Sequence, residues 1–400
     1  MEQEKTDHIL TYPPVVCLGF TPWKGNYAKS TTQLINRLAR KHKIMYVDYQ
    51  FTFKDVLLSL LGKSDLDIMP ILGFKQRLRI ETTPQGTHVY VLSLPPVMPI
   101  NWINSDRLFR LGLRINSFLI RQRIRKAIKS LEMEKPVFMS AYNPFIGLYS
   151  VGKFKERMHC YYCYDEISGS PWAQKYGAAI EEDYIKKVDL VMTSSRPLLE
   201  SKSKFNSNCE LVQNGVDFDF FNAYYLAHGA QNHDSNIIGY VGSLDERIDY
   251  TLIRAIADKY PDYEIRLIGR VVFPELLEEI RDAKNINLTG PMSYEELPAE
   301  VAKFKVGLIP FLKTKFTRYI YPLKINEYLS MNVPVVKTNF SDLDEFEGLV
   351  YTGIDHSDYL VKVDQALQEE VGYMKAERIR MAASNSWDAS VDKLSALISV

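Results

Sequence analysis

VVCLGFTPWKGNYAKSTTQLINRLARKHKIMYVD, residues 15–48, decides the fold class. Val15 to Leu18 is an apolar run closed by Gly19 and followed by a polar loop. Ser30-Thr31-Thr32-Gln33 has the capping-box pattern that opens a helix over Thr31 to Lys41. Ile44 to Val47 is a second strand ending on Asp48. Strand, loop, helix, strand is the βαβ unit from which parallel sheets are built.

Outward from this unit the pattern repeats. Strands are expected at Val89 to Leu92, Val137 to Met139, Met158 to Tyr164 and Leu190 to Thr193. Asn214-Gly215-Val216-Asp217 marks a turn, and Asn222 to Ser235 is polar with no firm apolar period, so the chain is expected to divide here. A second series follows at Asn236 to Val241, Glu264 to Ile268, Ile286 to Leu288 and Val306 to Ile309, the first three leading to Gly242, Gly269 and Gly290. Helices fit at Asp249 to Lys259, Pro274 to Asp282 and Ser293 to Lys303, the last opened by Ser293-Tyr294-Glu295-Glu296. The expectation is an α/β chain of two doubly wound, Rossmann-like domains, 1–215 and 216–385, with a helix over 386–400 packing back on the first. Ligands of such sheets sit at the carboxyl ends of the strands.

With 400 residues, 46% hydrophobic and 24% charged, the chain can fill two cores. Its 49 basic and 49 acidic residues cancel, which gives no global field for nucleic acid. The charged start Met1 to His8 does not read as a secretory signal, and no apolar window reaches about 18 residues. A cytoplasmic address is expected. Cys160 and Cys163 are spaced like a redox or zinc pair, but they fall in an apolar strand, where residues three apart point to opposite faces.

Several short motifs fail on their own terms. Gly62-Lys63-Ser64 lacks the P-loop glycine five residues earlier, where Leu57 stands, and no Gly-x-Gly-x-x-Gly follows the first strand. Asp217-Phe218-Asp219 is matched as well by Asp65-Leu66-Asp67 and Asp342-Leu343-Asp344, so no metal is assigned.

The segment from Tyr319 through Tyr321, Pro322 and Leu323 to Leu329, then Asn332 to Val336, reads loop, helix, turn, strand. Pro322 suits a first helical turn, whose N–H groups can hold phosphate. Lys324 and Glu327, three apart, share a face, and a cation beside a carboxylate meets what a nucleotide diphosphate asks of a site. By spacing alone an ordinary surface pair is the commoner explanation.

These blocks resemble family-4 retaining glycosyltransferases (glycosyl transferases group 1), which have the GT-B fold, and within them the surface-polysaccharide and teichuronic-acid branch. The resemblance rests on Val188-Asp189-Leu190-Val191, Ser194-Ser195 and Asn214 to Asp217, then Gly239 to Leu244, Pro261-Asp262 with Leu267-Ile268-Gly269, Leu288-Thr289-Gly290 with Glu296-Leu297-Pro298, and Pro322 to Leu329 with Pro334-Val335-Val336. Ser386-Trp387-Asp388 extends it toward the end of the chain.

It implies transfer of a sugar, with retained configuration and no cofactor or metal, from a nucleotide-sugar donor, a UDP-sugar first, to a glycan or glycolipid acceptor. Glu327 matches the second glutamate of the family's Glu-x7-Glu motif; Tyr319 stands where the first would fall. Arg247 and Lys324 become the diphosphate cations, and Asp165 and Glu166 contacts to the transferred sugar. Gly25 and Asn26, Gly242 and Ser243, Gly269, and Gly290-Pro291-Met292 line the donor. Readings from other classes are a sugar-nucleotide epimerase and a degenerate binding scaffold.

Asn101 to Ser130 carries eight basic residues, among them Arg107, Arg110, Arg114, Arg121 and Arg125, against one acid, Asp106. Leu108, Leu111, Ile115 and Phe118 recur at helical spacing between them. Such a helix is expected either to lie on an anionic membrane surface, the inner face of the plasma membrane here, or to pack its apolar stripe on its own domain.

Overall fold

The computed structural model describes residues 12–24, 30–169, 173, 175–229, 235–370 and 372–400. The chain divides into two compact units, Met1–Val212 with Val391–Val400, and Gln213–Ser390.

In the first unit the described elements run β1 (Val15–Leu18), α1 (Ser30–Leu38), β2 (Ile44–Val47), α2 (Phe53–Leu60), α3 (Ile68–Leu72), β3 (Leu78–Thr82), β4 (His88–Leu92), α4 (Asp106–Ser130), β5 (Val137–Ala141), α5 (Pro144–Leu148), β6 (Met158–Cys163), α6 (Gly177–Ile185), β7 (Leu190–Thr193), α7 (Arg196–Lys202) and β8 (Cys209–Leu211). They form an eight-stranded sheet, ordered β3-β4-β2-β1-β5-β6-β7-β8. The central strands VVCL, IMYV and VFMSA are buried at every position, as strands covered on both faces require. Only β3 runs antiparallel, folding back on β4. Its LRIET alternates in burial at the sheet edge, which hid it from a search for apolar runs.

Ser30 lies inside α1 rather than capping it, and Gln33 instead accepts from Arg37 Nη1 at 2.6 Å. A complete capping box opens α2, where Thr52 and Asp55 exchange backbone and side-chain bonds.

In the second unit, α8 (Phe218–His228) occupies much of the stretch expected to be irregular. Phe221 and Tyr225 are its core-facing anchors. Then follow β9 (Ile237–Val241), α9 (Tyr250–Lys259), β10 (Glu264–Ile268), β11 (Ile286–Gly290), α10 (Leu297–Val301), β12 (Phe304–Ile309), α11 (Leu323–Ser330), β13 (Val335–Thr338), β14 (Tyr351–Gly353), α12 (His356–Leu367) and α13 (Lys375–Ser384). Among the described residues these strands form a six-stranded parallel sheet, ordered β11-β10-β9-β12-β13-β14. Pro274–Ile280 is a 3-10 helix rather than the expected α-helix. The Ser293–Glu296 capping box is present and opens a 3-10 turn that leads into α10.

The last helix, α14 (Trp387–Ser399), begins in the second unit and ends in the first. At its start Val216 N donates to Asn385 O at 3.0 Å and Trp387 N to Val216 O at 3.0 Å. The Gly215 Cα is packed so closely on Trp387 that a Cβ would lie 2.3 Å from its backbone nitrogen. At its end Ser395 Oγ bonds His42 Nε2 at 2.7 Å and Asp392 pairs with Lys41 at 2.8 Å.

Strand order reverses between β1 and β5 in the first sheet and between β9 and β12 in the second. The loops leaving the carboxyl ends at such switch points form the binding crevice of doubly wound sheets.

Candidate functional site

Three glycines close the strands on one side of the second switch point. Gly242 N donates to Ile268 O at 2.9 Å, and Gly269 N donates to Gly290 O at 3.0 Å, so the ladder continues past the ends of β9 and β10 to the last residue of β11. A Cβ on Gly269 would sit 1.8 Å from Gly242 O, so only glycine permits this approach. Gly290 has φ +77 with open space around its Cα, and it turns the chain toward exposed Pro291 and half-buried Met292. The three glycines make a backbone-lined shelf at the strand ends, where no side chain stands between the main chain and a ligand.

The loops leaving β9 and β12 are zipped together. Leu312 N donates to Arg247 O at 2.7 Å, Asp249 N to Pro310 O at 2.8 Å, and Ile248 bridges Phe311. This fixes Arg247. Its guanidinium is held by Asp245 at 2.8 Å through Nε and 2.5 Å through Nη2, and it lies 5.5 Å from the Phe311 ring centroid. Ser243, on the same loop, is half-buried and its carbonyl accepts from Tyr240 Oη at 3.2 Å. A residue the sequence reading missed lies beyond Phe311. Phe340 packs on it at 5.1 Å, and Lys337 Nζ lies 5.9 Å from the Phe340 ring. Lys337 is 5% exposed, and burial lowers the pKa of its amine. Embedded in a strand of apolar neighbours, it offers no spacing signal.

α11 carries the expected pair. Lys324 Nζ bonds Glu327 Oε2 at 2.7 Å, so the two do share a face, and Glu327 is buried. The helix is held against the sheet end by Tyr328, whose hydroxyl accepts from Val241 N at 2.9 Å and whose ring lies over Gly307. Pro322 is the N-cap, one residue before the expected first turn, and is buried beside half-buried Leu323. Tyr321, which the resemblance puts with Tyr319, Pro322 and Leu323 against the donor, faces the core instead. It is 4% exposed, and its hydroxyl accepts from Asn326 Nδ2 at 2.8 Å, which makes it a core residue supporting α11. Tyr319 ends the 3-10 turn Thr317–Tyr319 and is half-buried.

In the first unit, Gly25 and Asn26 lie outside the described residues. Asp165 and Glu166 follow β6 as expected. Glu166 Oε2 accepts from Lys202 Nζ at 2.9 Å and its Oε1 from Ser168 Oγ at 2.9 Å. Lys202 also bonds Glu181 Oε2 at 2.7 Å, and Glu181 Oε1 accepts from Tyr161 Oη at 2.6 Å. Burial alone would lower the Lys202 pKa, but the Cys163 thiol and the two carboxylates raise it, so the amine stays charged. Cys160 and Cys163 are both buried free thiols, and burial pushes both pKa values up. That state disfavours thiolate chemistry.

A cavity of about 940 Å³ lies at the carboxyl ends of β2 and β4, reaching Pro22 and Lys24 after β1 and walled by Leu66, Pro70 and Ile71 of the α2–α3 region. At its polar side Arg79 bonds Asp48 at 3.2 Å, Glu81 at 2.8 Å and Ser93 Oγ at 2.7 Å. These residues carry no motif, and Arg79 sits on the overlooked edge strand.

On α4 four of the five expected membrane-facing arginines reach back onto their own unit. Arg110 bonds Asp183 at 2.8 Å and Asp106 at 3.0 Å. Arg121 donates to Tyr149 O, and burial lowers its pKa. Arg107, Arg114 and Arg125 are exposed, with Arg125 Nε donating to Lys153 O at 3.0 Å and the Arg114 guanidinium 5.7 Å from the Tyr149 ring centroid. The stripe Leu108, Leu111, Ile115 and Phe118 is exposed as well; the buried face is Phe109, Leu113, Asn116, Ile120 and Ile124. Among the described residues no helix is long and apolar enough to cross a membrane.

Two sheets, parallel but for the edge strand β3, with these switch points place the chain among GT-B folds, the architecture of its similar solved structures. The E. coli trehalose-6-phosphate structure bound with UDP-2-fluoro glucose aligns at TM-score 0.66 and 10% identity, over 96% of this chain and 99% of that one. Anabaena Alr3699/HepE in complex with UDP and glucose aligns at 0.63 and 14% identity, over 97% and 100%. More particularly, residues 235–372, the part that holds Arg247, Lys324 and Glu327, match the family model Glycosyl transferases group 1. TuaH of Bacillus subtilis (strain 168), named for a proposed role as a teichuronic acid biosynthesis glycosyltransferase, is 26% identical over 221 residues. That is 52% of each chain, so the chain spans about half the length of this curated relative in the match.

Proposed function

We propose that the chain is a glycosyltransferase that moves a sugar from a nucleotide-sugar donor, a UDP-sugar first, onto an acceptor of the glycan or glycolipid class, with retention of configuration. The observation that carries this reading is the placement of an Asp245-clamped Arg247 and the Lys324–Glu327 pair in the group-1 domain. UDP and glucose, held by the Anabaena neighbour, support the choice of donor. Glu327 would accept from the ribose hydroxyls, and the glycine shelf with Pro291 and Met292 would face the base.

As the bond from the sugar to the diphosphate breaks, negative charge grows on the leaving group. Arg247, Lys324 and the N–H groups at the start of α11 would neutralise it, with no metal in the scheme. The acceptor hydroxyl would then meet the oxocarbenium-like sugar from the face the diphosphate left, passing its proton to the departing diphosphate oxygen as the new carbon–oxygen bond forms. Removing one such cation typically costs about 3 kcal/mol of transition-state stabilisation. Asp165 is assigned to the transferred sugar, with Glu166 held beside it by Lys202 and Ser168 as a support, and the 940 Å³ cavity is assigned to the acceptor.

Release of nucleoside diphosphate from a donor panel, with and without lipid-linked acceptors, tests the reading. Turnover on one donor, lost on Arg247→Ala, supports it. Tight nucleotide binding with neither transfer nor donor hydrolysis would instead favour a binding scaffold, the reading that Tyr319 in the first glutamate's place favours.

A further inference from the structure

The segment between β2 and β3 is built oddly for a surface. Across residues 53–74, Phe53, Leu57, Leu60, Leu61, Met69, Leu72 and Phe74 are all exposed, Leu60 at 63% and Phe74 at 74%. Only Val56 anchors α2 to the core, and only Ile71 anchors α3. Scattered single apolar residues are normal on proteins, but a contiguous set of this size marks a contact surface.

The outer face of α4 continues it. Phe53 N donates to Val97 O and Val97 N to Phe51 O, each at 3.0 Å, while the next residue, Met98, exchanges two bonds with the Asn116 side chain of α4. The strip is thus tied to α2 at Val97 and to the buried face of α4 through Asn116; it runs on to Trp102–Ser105 beside the exposed face of α4, and itself exposes Met98 and Trp102, the latter at 75%. Between Trp102–Ser105 and Leu108, Leu111 and Ile115 lies an apolar groove of about 560 Å³.

Charge selects the occupant. Exposed Arg107, Arg114 and Arg125, at offsets of 7 and 11, form one row beside the apolar stripe of α4, and exposed Lys54, Lys63 and Lys75 fringe the hairpin. Two of the hairpin's acids are turned to local work: Asp55 caps α2, and Asp67 caps α3. Apolar side chains bordered by cations, with an aromatic residue at the margin, match the acyl and headgroup layers of an anionic bilayer.

The geometry points to the α2–α3 hairpin and the outer face of α4 as one bilayer-docking surface, with hairpin leucines and Phe74 entering the acyl boundary and the groove taking an acyl chain. The hairpin also walls the 940 Å³ cavity, so docking brings that cavity to a membrane-borne acceptor, a consequence that rests on the transferase reading.

The test is co-sedimentation of the full chain, without nucleotide, with phosphatidylcholine vesicles lacking or containing phosphatidylglycerol. Wild type is expected to sediment with the anionic vesicles and to be released by salt. The Leu57→Ser/Leu61→Ser/Phe74→Ser and Arg107→Ser/Arg114→Ser/Arg125→Ser variants should each bind about tenfold less or weaker, while melting like wild type. Should the apolar variant melt early, brominated-lipid quenching of wild-type fluorescence that vanishes in Trp102→Phe supplies the same answer. Wild type remaining in the supernatant, or a dimer dissolved by the apolar variant without vesicle binding, overturns the proposal. Nucleotide-induced stabilisation is independent of either result, so the two readings fail separately.

Discussion

Glu156 and Lys202 show how single charges are held in the first unit, and each makes its own prediction. Burial would raise the Glu156 pKa, but bonds from His159 Nδ1 at 3.1 Å and from the Phe154 and Gly152 N–H groups outweigh it and bring it from 4.5 to about 2. A depressed carboxyl contributes stability that is full above the unfolded pKa and is lost as pH falls through the folded one. The melting temperature should therefore drop between pH 4.5 and about 2, and Glu156→Gln should show a shallower drop over that window in a pH series of melts. Lys202 holds Glu166 and Glu181 together in a buried cluster. Lys202→Met strands two carboxylates, at about 3–5 kcal/mol in urea unfolding. The deficit should narrow toward acid, because burial already raises Glu181 and protonation removes the stranded charge. Neither role was legible beforehand: Glu156 carries no motif, and Glu166 is placed by resemblance beside the transferred sugar, with no sign that Lys202, 36 residues away, reaches it.

At the level of elements, the apolar runs were readable because strands of a doubly covered sheet must be apolar throughout. β2, β7 and β10 fall on the expected residues, as does the capping box at Ser293. What escaped were elements whose pattern is set by their neighbours. β3 is half-polar because it is an edge strand; α8 lacks a clean period because Phe218, Phe220, Phe221, Tyr224 and Tyr225 all pack on the core. The glycine shelf was visible as letters, but its reason is geometric. Gly269→Ala drives a Cβ into Gly242 O and should cost about 2 kcal/mol or more, parting the ends of β9 and β10. Gly290→Ala meets nothing and should cost only the left-handed backbone penalty, about 1–2 kcal/mol. Denaturant melts of the two variants side by side check that ranking.

For the whole molecule, the candidate site was legible where one helix or loop holds it and illegible where distant segments converge. Spacing put Lys324 and Glu327 on one face, resemblance gave that pair and Arg247 their roles, and Lys337, Phe340 and Arg79 required the fold. The central claim is that the second unit binds a nucleotide through Arg247 and Glu327. Its most direct test is thermal stabilisation of the full chain by UDP, GDP, ADP, CMP and dTDP sugars, on wild type and on Arg247→Ala and Glu327→Ala. One nucleotide series, UDP first, should stabilise wild type, by about 2.7 kcal/mol at a concentration 100-fold above its Kd, and both substitutions should abolish the shift. No stabilisation by any of them, or an unchanged response in the two variants, would contradict the account.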